Sequence, residues 1–187
     1  MEPYDAERHL ALGTKDSAQY LAHMEYSWYS EDETHTAGVY AARAIFPLLL
    51  TGNLRAANQF HLLFTSRLGQ ANQNLAVQEV SSSSSDVRVY PSIPLLNFLG
   101  LLLLAVERGS SDLFKSLKSH YAAHIKEVGM WDEALEGVAE MYFGIRKPRQ
   151  SNPLFDMMGS MFGGGGGAAA KPKQPKVEEP APPPAVD

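Results

Sequence analysis

RVYPSIPLLNFLGLLLLAV, residues Arg88 to Val106, decides how the rest of this chain is read. It opens like a strand, meets Pro91 and Pro94, and then becomes the most apolar run in the sequence. Three kinds of segment look like this: a membrane anchor, a buried core helix, and a surface shaped for another protein. Crossing a bilayer takes about 20 consecutive apolar residues. Ile93 to Val106 is shorter, is interrupted by Pro94 and Asn97, and runs into Glu107, Arg108 and Gly109. No stable membrane insertion is expected.

Upstream, LAVQEVSSSSSDVRVYP (Leu75–Pro91) contains two short valine-bearing runs, Leu75 to Val80 and Val87 to Tyr90. Both partly alternate in polarity, and Ser81 to Ser85 separates them. This pattern predicts a β-hairpin with a long serine tip, inserted near residues 75–91 between helices. Downstream, Ser92 caps a helix over Ser92–Arg108, with Pro94 in the first turn, where a missing N–H costs little.

Elsewhere the apolar spacing is helical. Tyr4–Leu12 and Asp16–Tyr29 read as the first two helices, with Gly13 a left-handed cap between them. A third begins at Ser30, where Ser30 and Glu33 resemble a capping box, and runs to Leu50 with Pro47 expected to kink or shorten it. A fourth starts after Asn53, carries Leu54, Ala57, His61, Phe64 and Leu68 on one face, and stops at Gly69. One helix from Ser110 or Ser111 to Val128 puts Leu113, Leu117, Tyr121, His124 and Val128 on a face. A last helix aligns Trp131, Leu135, Val138 and Tyr142. Helix follows helix across short glycine-bearing turns, which predicts an all-α antiparallel array, either a bundle or a solenoid. Residues 1–145 are expected to form the helical domain and 146–162 a short docking segment. The Gly/Ala/Pro tail, 163–187, has too little apolar surface to offset its ordering entropy and is expected to be disordered.

Composition narrows the chemistry. The 187 residues include no cysteine, which removes disulfides, thiolate metal sites and a cysteine nucleophile. A net charge of −5 argues against nucleic acid as a partner. The start, MEPYDAERHL, lacks the basic flank and apolar core of a signal peptide. His120 and His124 stand at a spacing that can hold zinc, but Tyr121 occupies the place of a metalloprotease glutamate and no third ligand is near. MFGGGGG lacks the lysine and hydroxyl of a phosphate loop. No cofactor, metal or catalytic residue is expected.

What stands out is apolar excess beside an open strand edge. A helix apolar on every face must be covered on every face. Neighbouring helices cover part of it, and the remainder calls for the hairpin, the tail or a second protein; full enclosure by the chain itself is the competing reading. An open hairpin edge also offers backbone groups for strand addition. The expected partner-binding residues are Val87, Arg88, Val89 and Tyr90 of the hairpin and Leu95, Leu96, Phe98, Leu99, Leu102 and Leu103 of the helix. Tyr90, Leu96, Phe98 and Leu99 are the expected anchors. A peripheral membrane or hydrophobic-segment-binding module is the alternative, with FDMMGSMF (Phe155–Phe162) contributing adaptable methionines.

Several stretches resemble one family: PYDAERHLALGTKDSA (Pro3–Ala18), the stretch Arg88–Ser110, FGI (Phe143–Ile145) and NPLFDMMGSMFGG (Asn152–Gly164). They are similar to the fourth subunit of the guided-entry-of-tail-anchored-proteins pathway. The resemblance implies a cytoplasmic, non-catalytic α-solenoid of helix pairs with a β-hairpin inserted near its C-terminal end. It also implies that the C-terminal half grips the N-terminal segment of a ubiquitin-like adaptor, the pathway's fifth subunit. The family's N-terminal half docks on a targeting ATPase, and the complex helps pass tail-anchored clients to it. PYDAERHL resembles the middle of the family's sequence, so this chain is expected to be the C-terminal half, without the ATPase-docking surface.

Overall fold

The periodicity predicts helix after helix, and the computed structural model describes that arrangement over residues 3–13, 16–32, 36–72, 74–82 and 85–146. The elements are α1 (Pro3–Ala11), α2 (Ser17–Glu31), α3 (Ala37–Leu50), α4 (Leu54–Ala71), β1 (Gln78–Ser82), β2 (Ser85–Val89), α5 (Pro94–Arg108), α6 (Ser111–His120), α7 (Ala122–Val128) and α8 (Asp132–Phe143). This is an all-α solenoid with a two-stranded antiparallel ribbon set between α4 and α5. The expected docking segment beyond Arg146 and the expected tail lie outside the described residues.

Helix α3 is the hub, packing on α1, α2, α4, α5 and α8. Its sequence suits that role, because Ala37, Ala41 and Ala44 are buried small residues beside buried Ile45, Leu48 and Leu49. Small side chains let helix axes approach closely. One such close approach is at Gly38: a Cβ there would lie 2.6 Å from the Leu95 Cβ and 3.1 Å from the Leu96 nitrogen. Real Cβ atoms do not sit that near a neighbour, so glycine sets the distance between α3 and α5.

Pro94 lies in the first turn of α5, as predicted, but the helix starts later than expected: Ile93 and not Ser92 is the capping residue, and Pro94 takes the first position. The helix closes on Gly109 at φ +61, whose N–H reaches the Ala105 and Val106 carbonyls. Between them Leu96, Phe98, Leu99 and Leu102 are fully enclosed. Each such burial stabilises the fold by about 1.5–3 kcal/mol. The cover comes from the chain itself, from α3, α4, α6, α7 and β2. Phe98 stacks on Trp131 at 6.0 Å and meets Tyr121 edge-on at 5.6 Å. The expectation that α5 keeps an uncovered apolar face is therefore corrected: its outward side is made of half-buried Pro94, Asn97, Gly100, Leu101 and Leu104.

Four local expectations also change. Ser30 does not cap α3; it lies inside α2, where its Oγ donates to the Ser27 carbonyl at 2.7 Å, and Thr36 precedes α3. Gly69 does not end α4, which continues to Ala71 because Leu68 is buried behind it and the helix is still packed there. Pro47 does not shorten α3, which runs on to Leu50. The single helix expected over 110–128 divides at Tyr121 (φ −95, ψ 11). The division changes the phase of the apolar stripe: Phe114 and Ile125 join the expected Leu117 in the core, and Leu113 packs against it only partly buried. Trp131, which precedes α8, and Leu135 and Val138 within it are buried as expected, and the Tyr142 hydroxyl donates to the Leu49 carbonyl of α3 at 2.7 Å.

Candidate functional site

The ribbon is built by backbone pairing in the register Gln78 to Val89, Glu79 to Arg88, Val80 to Val87, Ser81 to Asp86 and Ser82 to Ser85. Three of the five serines are thus strand residues, which corrects the expected long serine tip: only positions 83 and 84 separate the strands. Serine is neutral enough in composition to hide this, since a ladder is held by backbone groups that every residue carries. Strand alternation puts Val80, Val87 and Val89 on one face and the Glu79–Arg88 ion pair, at 3.3 Å, on the other. Both members of that pair are well exposed, so its contribution to stability is small. In the described structure each strand pairs with the other alone, which leaves an outer edge on both.

The ribbon is fastened at its exit. The Tyr90 N–H donates to Asn97 Oδ1 at 2.7 Å, and the Asn97 Nδ2 donates to the Tyr90 carbonyl at 2.8 Å. One carboxamide on α5 thus imitates a neighbouring strand for one residue. Asn97 looks in the sequence like an interruption of the apolar run; it is the joint between ribbon and helix. Its signal was its own oddness, a lone amide inside PLLNFLGLLLL.

Between the ribbon and α4 lies an open groove of about 420 Å³. Helix α4 lines it with His61, Leu62 and Thr65, and the ribbon with Glu79, Ser81, Val87, Arg88 and Tyr90. The imidazole of His61 leans across to α5, where a Cβ on Gly100 would stand 3.1 Å from its Cε1. Its Nε2 is shielded from solvent and has no hydrogen-bond partner in the described structure. Burial pushes His61 down to about 4, against a smaller upward pull from the Leu96 backbone, so the ring is neutral at pH 7. Leu62, on the rim, is 58 % exposed, and Val80 of β1 is 52 % exposed. Large apolar side chains that remain this open next to unpaired strand edges are the features of an interaction surface.

The ten expected partner-binding residues fall into two groups. Arg88 is exposed and Val87 and Val89 are half-buried, all on β2. Tyr90, Leu95, Leu96, Phe98, Leu99, Leu102 and Leu103 are buried and build the core. The structure therefore brings the ribbon residues to a surface and withdraws the helix residues from it. Sequence reasoning missed Leu62 and Val80, which show only as apolar residues off the main stripe. Among the described residues no three of His, Asp or Glu stand where they could hold a metal, and no helix is long and apolar enough to cross a membrane.

Comparison with known proteins gives concordant matches. A family model, Golgi to ER traffic protein 4, matches residues 1–162. Golgi to ER traffic protein 4 of Aspergillus fumigatus is 65 % identical over 164 residues, covering 87 % of this chain and 47 % of that protein. The Schizosaccharomyces pombe protein of the same name is 32 % identical, covering 87 % of this chain and 52 % of its own length. A crystal structure of C. therm. Get4 superimposes with a TM-score of 0.74 at 56 % identity, over 93 % of this chain and 55 % of that one. The chain thus spans about half the length of the relatives it matches.

Proposed function

The chain belongs to the Golgi to ER traffic protein 4 family, and from that premise we propose that it is a non-catalytic, cytoplasmic scaffold for targeting tail-anchored membrane proteins. Its ribbon face grips the N-terminal segment of a ubiquitin-like adaptor. In the complete assembly the complex passes its clients to a targeting ATPase, and no ATPase contact is assigned to the described residues.

One observation carries this reading. Among the described residues, a ribbon with two unpaired edges stands beside an open groove, with exposed Leu62 on the groove's α4 wall and exposed Val80 on β1. Strand edges supply backbone hydrogen bonds to an incoming segment, and the apolar side chains supply the area that anchors it. Arg88 and Glu79 at the groove wall would set register and partner choice more than affinity. The contact is assigned to Val87, Arg88 and Val89 with Val80 and Leu62. The buried α5 residues support the ribbon from beneath.

Calorimetric titration of the purified chain with the adaptor's N-terminal segment tests the assignment. Val80→Asp and Arg88→Glu change exposed side chains, so each should leave the melting temperature nearly unchanged. Val80→Asp should weaken binding by about tenfold or more, the loss expected when an apolar anchor is removed. Unaltered affinity in both variants, with both folded, would place the adaptor elsewhere. Binding of the chain to protein-free liposomes in a flotation assay would favour the membrane-surface alternative.

A further inference from the structure

Away from the ribbon, α1 is attached to the solenoid by a buried polar cluster. Glu25 of α2 is completely enclosed, and neither carboxyl oxygen has a hydrogen-bond partner within the described geometry. Beside it, Arg43 of α3 makes a two-pronged bond to Glu7 of α1, Nε to Oε1 at 3.2 Å and Nη2 to Oε2 at 2.7 Å. The same Arg43 Nε lies 3.5 Å from Glu25 Oε2, and the guanidinium rests over the Trp28 ring at 5.1 Å. Three elements and two carboxyl groups therefore share one guanidinium.

The charge count decides what this cluster can do. With Glu25 protonated, Glu7 is the charged member of these two carboxyl groups beside Arg43. With Glu25 ionised, the site holds an extra negative charge out of water, and Arg43 must divide itself between two carboxylates. Removing charge from water is costly unless it is paired, and like charges in one site repel. Elsewhere on α1, Ala11 is buried and Leu10 partly buried, while Leu12 beyond it is exposed. The Glu7–Arg43 bond is a polar tie between α1 and α3, and loosening it loosens the helix.

We propose that Glu25, Glu7 and Arg43 form a proton-operated latch, which holds α1 against α2 and α3 while Glu25 keeps its proton and releases it when that proton is lost to solvent. Burial first, and then the nearby Glu7 charge, raise Glu25 to about 8, so the change falls within the physiological range. Other ionisable groups stand around the cluster. On α3 the Tyr40 phenol is held up at about 12, by burial first and then by its bond to Asp32 at the end of α2. From α4, the charged Arg67 is turned to His23.

The test uses the whole chain. The carboxyl carbon of Glu25 is followed by NMR from pH 5 to 9, together with hydrogen exchange of the Glu7–Ala11 amides, corrected for intrinsic rate. Glu25 should titrate well above the ordinary carboxylate range, and α1 protection should fall by about tenfold or more with the same midpoint, a one-unit loss on a logarithmic scale. Glu25→Gln, which cannot ionise, should keep α1 protected throughout. The proposal is overturned if Glu25 titrates near 4.5, if α1 opens with a different midpoint, or if Glu25→Gln shows the same pH-dependent loss. The wild-type titration alone decides the matter should the variant fail to fold.

Discussion

Asn97 holds Tyr90 by both of its backbone groups, taking the N–H at 2.7 Å and giving a hydrogen bond to the carbonyl at 2.8 Å. The Tyr90 carbonyl has a second donor in the Ile93 N–H, whereas the Tyr90 N–H depends on Asn97. Asn97→Ala should therefore orphan one backbone donor and cost about 1–3 kcal/mol. Urea unfolding measures the cost. Hydrogen exchange should show β2 amides losing protection before those of α5, and equal loss in both would contradict the role of Asn97 as a joint.

The Gly38 contact gives a second expectation. An alanine would raise helix propensity in α3 by about 1 kcal/mol. Against this, its methyl would collide with the Leu95 Cβ and the Leu96 backbone, neither of which can swing aside. Overpacking of this kind costs about 1–3 kcal/mol. Gly38→Ala should thus be destabilising on balance, with a lowered midpoint in denaturant, and a raised midpoint would show that α3 and α5 can separate freely.

Phe98 is enclosed and packed between Trp131 and Tyr121. Phe98→Ala should cost about 3–5 kcal/mol by transfer and cavity terms together. Any loss of adaptor binding in that variant should track the unfolded fraction, and lowering the temperature until the chain is folded should restore it. Binding that stays lost in the folded variant would return Phe98 to the interface.

Two buried titratable groups bend the stability profile in opposite senses. Glu25 is raised from 4.5 to about 8, so the folded chain binds its proton more tightly than the unfolded one. That contribution is complete below 4.5 and is lost as pH rises through about 8. His61 is lowered from 6.5 to about 4, so its contribution is present above 6.5 and is lost as pH falls through about 4. Melting temperatures from pH 4 to 9 should therefore decline on both sides. Glu25→Gln should flatten the alkaline limb and His61→Gln the acid limb. A variant that leaves its own limb unchanged would remove that residue from the account.

The helical array, the hairpin's place in the chain and Pro94 in the first turn of α5 were all legible from local signals. What covers α5 was not, because the cover comes from residues far apart in sequence: Gly38 on α3, Tyr121 between α6 and α7, and Trp131 before α8. An apolar face announces that it needs a partner without saying whose residues supply it. The candidate site was half legible for the same reason. Val87, Arg88 and Val89 follow from strand alternation, but the groove exists only once α4 lies beside the ribbon. Glu25 reads as an ordinary helix-surface residue until α1 and α3 close over it.

Tyr142 ties α8 back to Leu49 of α3 across 93 residues of chain. An open stack of repeats touches only nearest neighbours and can unzip from either end. Here the final helix grips the third, so the array from α3 to α8 is closed into a loop of contacts and α8 cannot peel away without breaking the middle. The helices from α3 to α8 should accordingly melt in one cooperative transition, and a partner seated on the ribbon would steady that whole block at once.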